Sequence, residues 1–176
     1  MFYLLVIKSI GILPVALAMG SFLFLIYLLS YHTLQKSFRE VDNNRSSYIE
    51  MGKTKYEIAN LIVNILREKG DDLFSYDKML SLGSTLMSTQ VGIEDNVRAN
   101  IAVQKEIDLL QAIIVNTPHL QQNSQIQELI KQLQEQEKKY LVAYKKYAYN
   151  LKYYNSFVSK MPSKLVAKIA GFKKIA

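Results

Sequence analysis

The side chains that could do chemistry are few and scattered. His32 and His119 are the only imidazoles, one beside a long apolar stretch and the other next to Pro118. Neither stands near carboxylates at ligand spacing, so no metal site and no catalytic dyad is read from them. Asp71-Asp72 follows Gly70 and reads as a helix N-cap with an acidic first turn, not as a pair of catalytic acids. The glycines form no phosphate-cradling loop, no GKS or GKT follows them, and no nucleophile elbow is present. Cysteine is absent, which removes thiol nucleophiles, thiolate zinc sites and disulfides. The expectation is a chain with no catalytic residue, metal or cofactor.

What remains is charge and aromatic surface. Formal net charge is +7, which suits nucleic acid, an anionic membrane or simple solubility. Lys160, Lys164, Lys168, Lys173 and Lys174 alternate with Leu165, Val166, Ile169, Phe172 and Ile175. Such a basic amphipathic segment suits an anionic lipid surface, each Lys contributing ~1 kcal/mol of attraction. The competing reading is that Leu165, Ile169 and Phe172 cover the open end of a helical bundle. Six of the twelve tyrosines lie between Tyr140 and Tyr154. Tyr140, Tyr144, Tyr147 and Tyr154 fall on an apolar seam and read as core. Tyr149 and Tyr153 fall off it, among Lys138, Lys145, Lys146 and Lys152. Stacking on nucleic-acid bases is one use for that surface. A solvated or protein-contacting face is preferred, because no nucleic-acid module is present and a membrane anchor argues against genome binding.

The anchor is Ser9 to Ser30, 22 residues without a charge. At 1.5 Å rise per residue, about 20 residues cross a ~30 Å hydrocarbon core. Ala16-Leu17-Ala18 resembles a cleavage site, but cutting there leaves Phe22 to Leu29 as an apolar terminus, so a retained anchor is read. Pro14 is tolerated in the first turns of a helix. Lys8 precedes the span, whereas Lys36, Arg39 and Arg45 follow it, which places the body in the cytoplasm. The chain thus reads as a tail (1–8), a transmembrane helix (9–31), a helical body (32–160) and a basic C-terminal segment (161–176).

Within the body, Leu34, Phe38, Val41, Tyr48, Ala59, Ile62 and Leu66 share one helical seam, with Arg45, Gly52 and Lys55 interrupting it. That helix is read from Leu34 to Lys69, ending at Gly70. A second starts at Asp71-Asp72 and uses Leu73, Phe74, Tyr76, Met79, Leu80 and Met87. Gln90 to Asp95 is a connection. A third, from Asn96 to Asn116, uses Val97, Ile101, Ile107, Leu110 and Ile114, and stops at Thr117-Pro118. The fourth spans Ser124 to Lys160 through Ile126, Ile130, Leu133, Glu137, Tyr140, Tyr144, Tyr147, Leu151, Tyr154 and Val158. The first and fourth are long and nearly equal, so the fold class is all-α: a transmembrane helix followed by an antiparallel up-down-up-down four-helix bundle. With Leu34 level with Val158, Lys55 stands level with Glu137 and Arg45 with Tyr147. Lys55 and Glu137 are therefore a candidate register-fixing ion pair.

In the C-terminal third, Pro118-x-Leu120 leads into Ile126, Leu129, Leu133 and Glu137. Ala143, Tyr147, Leu151, Tyr154-Asn155, Pro162, Ala167 and Gly171-Phe172 follow without a gap. In its residues and spacings this run resembles the LemA family of small bacterial membrane-anchored helical proteins. Departures are Tyr147-Ala148 in place of a Tyr-Asn pair, Tyr144 in place of an Arg, and Ile58-Ala59-Asn60-Leu61 where the family carries Ile-Pro-Asn-Leu. The resemblance implies a membrane-anchored antiparallel helical bundle without a generally established enzymatic activity. Two functions are carried forward. One is a non-enzymatic scaffold acting through protein–protein contacts and self-association. The other is a membrane-surface adaptor that reads anionic lipid and regulates another membrane protein.

Overall fold

The computed structural model describes residues 2–69, 74–90 and 92–175. Every regular element among them is helical: α1 (Phe2–Glu68), α2 (Tyr76–Met87), α3 (Ile93–Asn116), α4 (Pro118–Gln121), α5 (Ser124–Ser159) and α6 (Ser163–Ala170). The apolar stretch and the first body helix, expected as separate elements, are one helix of 67 residues. No Gly or Pro lies between Tyr31 and Leu34 to interrupt the backbone hydrogen bonds, so the helix continues. Pro14 lies inside it, not in its first turn. Leu13, Leu17, Phe22, Phe24 and Leu29 are all exposed, as lipid-facing side chains would be. Among the described residues one helix is long and apolar enough to cross a membrane.

The chain divides into two compact units, to both of which α1 and α5 contribute. One comprises residues up to Asp42 and from Ala148; the other is Asn43–Tyr147. The second holds the larger apolar core. Ala59, Ile62 and Leu66 of α1 meet Met79 and Leu86 of α2, Val103, Ile107 and Leu110 of α3, Leu120 of α4, and Ile126 and Leu133 of α5. Burying such side chains contributes roughly 1.5–3 kcal/mol each before entropy is counted. Two glycines set how closely the helices approach. A Cβ on Gly52 would collide with the Asn100 amide, and one on Gly83 with the Tyr56 ring. Gly52, which interrupts the apolar seam in the sequence, is thus where Asn100 of α3 reaches α1 and donates to the Tyr48 carbonyl.

Several element boundaries and faces differ from the sequence reading. Helix α2 begins at Tyr76, after Ser75, which makes no side-chain cap hydrogen bond. Gly70, Asp71, Asp72 and Leu73 lie outside the described residues. Its inward face is Met79, Gly83 and Leu86, while Leu80 and Met87 are exposed, because the face is centred on the Gly83–Tyr56 approach. Helix α3 starts at Ile93 and leaves Ile101 exposed. Two of its buried positions are polar: Asn100, and Glu106, which accepts from Lys78 of α2 at 2.5 Å. An apolar pattern cannot display such positions.

In α5, Ile126, Leu133, Tyr140, Tyr147 and Tyr154 are buried at every seventh residue, as the repeat requires. The second column lies one residue earlier than read: Gln136 and Ala143 are buried, while Tyr144 is 45% exposed. Gln136 faces Met51 of α1, its amide 3.4 Å from the sulfur, and so occupies a position that looks polar in the sequence.

Gly83→Val should lower stability by about 1–3 kcal/mol through overpacking against Tyr56. Thermal unfolding of the full chain in mild detergent, followed by circular dichroism, checks this. In a Tyr56→Ala background the same substitution should cost much less.

Candidate functional site

Two constellations stand out, one in each unit. In the first, the end of α5 holds the C-terminal segment. The Tyr154 hydroxyl donates to the Lys173 carbonyl at 2.8 Å. Asn155, the next residue, donates from Nδ2 to the Ile175 carbonyl at 2.9 Å and accepts from the Ile175 amide at 3.0 Å. Adjacent residues on one helix thus hold the same short stretch of backbone, at Lys173 and at Ile175. Gly171 makes the reversal possible. It caps α6 at φ 78°, a left-handed conformation that suits glycine, and the Phe172 amide closes on the Ala167 carbonyl at 2.9 Å. The turn aims Phe172 at α1, where its ring lies 5.9 Å from Tyr31 and 6.4 Å from Phe38. Tyr154 also packs on Phe38 at 5.8 Å, and Tyr31 stacks on Tyr27. The tail therefore docks on α1 immediately after the apolar stretch.

Helix α6 shows its two faces clearly. Ser163, Val166 and Ala167 are buried, whereas Leu165 is 54% and Ile169 74% exposed. Of the three residues expected to cover the bundle, only Phe172 packs inward; Leu165 and Ile169 point away. A helix of eight residues presents one covered face, and Val166 and Ala167 occupy it. Lys160, Lys164, Lys168, Lys173 and Lys174 are all exposed. Residues 138–176 contain ten lysines and no acidic residue. This one-signed run was visible in the sequence once counted from Glu137 onward.

In the second unit, Lys55 is 1% exposed and forms an ion pair with Glu137. It also donates to Gln104 Oε1, and Gln104 in turn donates to Asp108 at 2.8 Å. The ammonium lies 4.4 Å from the centre of the Tyr140 ring. Burial lowers the Lys55 pKa, and the hydrogen bond and charge of Glu137 oppose that shift. Tyr48 and Tyr140 share a hydrogen bond at 2.9 Å, and burial raises the pKa of both. Tyr147 stacks on Tyr48 at 5.7 Å and 7°. Its own pKa is raised by burial, with the nearby Arg45 charge opposing. Gln104 and Asp108 were not singled out by sequence; their four-residue spacing on α3 is the signal that would have found them.

The remaining positions of the resemblance lie in or beside helices α4, α5 and α6. Pro118 starts α4, Leu120 and Leu133 are buried, and Leu129 packs on the core. Ala143 and Ala167 are buried, Leu151 is half-buried, and Pro162 precedes α6. Neither His32 nor His119 belongs to a metal-binding group among the described residues.

These features define an all-helical protein with a membrane-length apolar helix and a C-terminal segment clasped beside it. The LemA family model matches residues 63–176, and the chain belongs to that family. A search of curated proteins gives no match. The matched region includes the Tyr154-Asn155 clasp and the Gly171-Phe172 turn.

Glu137→Leu should destabilise the protein by about 3 kcal/mol, because the buried Lys55 charge loses its partner. Lys55→Met combined with Glu137→Leu should recover most of that loss. Urea unfolding of both variants and the wild type, in one detergent, measures the coupling.

Proposed function

We propose that this chain is a non-enzymatic, membrane-anchored helical scaffold that acts through protein–protein contacts and self-associates. In this reading α1 spans a bacterial cell membrane once, the body lies in the cytoplasm, and α1, α2, α3 and α5 form an up-down-up-down bundle over residues 32–160. Support for the bundle comes from the Asn43–Tyr147 unit, where Tyr48 meets Tyr147 and Lys55 meets Glu137, an antiparallel order. The four-helix packing fixes register through the Lys55–Glu137 pair.

The observation that carries the scaffold reading is an exposed aromatic ladder on α5. Tyr149, 69% exposed, stacks on Tyr153 at 6.3 Å, and Tyr153 meets Phe157 at 4.8 Å. Tyr is enriched among the residues that dominate protein–protein contacts, and a contiguous exposed apolar patch marks such a surface. A second reading, a membrane-surface adaptor that reads anionic lipid and regulates another membrane protein, is favoured by the outward apolar and basic face of α6. Nucleic acid has no comparable support.

Mass measurement of the intact full-length complex in mild detergent tests the scaffold. The expected result is a monodisperse oligomer that Tyr149→Ser with Tyr153→Ser converts to monomer. A monomeric wild type, or an oligomer indifferent to both substitutions, overturns self-association through this ladder. A co-purifying membrane protein would instead favour the adaptor.

A further inference from the structure

Beside α6 lies a groove of about 500 Å³, within the size range of small-ligand sites (roughly 300–1,000 Å³). Val158, Leu165 and Phe172 supply apolar wall, and Lys164, Lys168 and Lys173 supply the charge. No acidic side chain lines it, and none of the described residues forms an ion pair with these lysines. Phe172 belongs to both the groove and the aromatic contact with Tyr31, the residue that follows the apolar stretch. With residues 9–31 read as the membrane span, the groove opens at the level where a bilayer's headgroups begin.

We propose that this groove is a binding site for a single anionic phospholipid, its phosphate among Lys164, Lys168 and Lys173 and an acyl chain along Leu165 and Phe172. The proposal rests on the reading that α6 lies against an anionic leaflet, and it deepens that reading from diffuse attraction to a built site. The occupant is a membrane lipid because the wall is apolar, the rim is cationic and the site adjoins the span. A soluble phosphate would use the lysines and leave the apolar wall in water. Lys160 and Lys174 are also exposed but do not line the groove, so they separate a site from a charged surface.

The test uses the full-length protein in nanodiscs of phosphatidylcholine with added phosphatidylglycerol, extracted into mild detergent for native mass spectrometry. One phosphatidylglycerol per chain should be retained, saturably and in preference to phosphatidylcholine. Lys164→Gln, Lys168→Gln and Lys173→Gln should each weaken retention about fivefold, while Lys160→Gln and Lys174→Gln leave it nearly unchanged. Leu165→Gln, which keeps every charge, should also weaken it. Equal losses from all five lysine variants, or multiple unsaturable adducts, would overturn the site while leaving leaflet attraction intact. No preference for phosphatidylglycerol in any variant would sink both. Displacement by millimolar glycerol phosphate would overturn the lipid assignment in favour of a soluble anion.

Discussion

An unbroken helix from Phe2 to Glu68 is the constraint on which the rest depends. The helix continues through Ser30, so Tyr31 and Phe38 follow the apolar span on the same helix. Two turns of helix separate those two rings, and Phe172 reaches both. The C-terminal segment has no independent means of choosing its place. It is held by Tyr154 and Asn155 through backbone hydrogen bonds, and by one aromatic ring against α1. The exposed face of α6 follows from that attachment: with Val166 and Ala167 turned inward, Leu165 and Ile169 must face out.

The buried polar group answers a different problem. Apolar helix faces tolerate slippage by a turn, since one Leu or Ile replaces another at modest cost. Slippage by a turn at Lys55 would part an ammonium that is 1% exposed from its carboxylate, its amide partner and its aromatic neighbour together. Gly52 and Gly83 work in the same direction by steric means.

Much of this was legible in the sequence, and the failures share a cause. The apolar span, the long α5 and the stop at Thr117-Pro118 follow from composition, heptads and proline chemistry. The level pairing of Lys55 with Glu137 followed from counting along two long helices. Faces were misread where an inward position is polar or very small: Gln136, Ala143, Asn100, Glu106 and Gly83 are all buried, and none announces itself as core. Tyr144, Leu80 and Ile101 filled those vacancies in a hydrophobic reading and prove exposed. The clasp was harder. Tyr154-Asn155 and Gly171-Phe172 were recognisable as a family pattern, but their joint purpose depends on a reversal at Gly171 that brings distant backbone together.

The proposed docking of α6 at the bilayer is best tested by measuring its depth. The chain contains no cysteine, so Leu165→Cys and Ile169→Cys each give a single nitroxide attachment site in the full-length protein. In phosphatidylcholine–phosphatidylglycerol bilayers, spin relaxation at both positions should respond to oxygen more than to an aqueous nickel complex. Relaxation dominated by the nickel complex at both positions would contradict placement of α6 against the membrane.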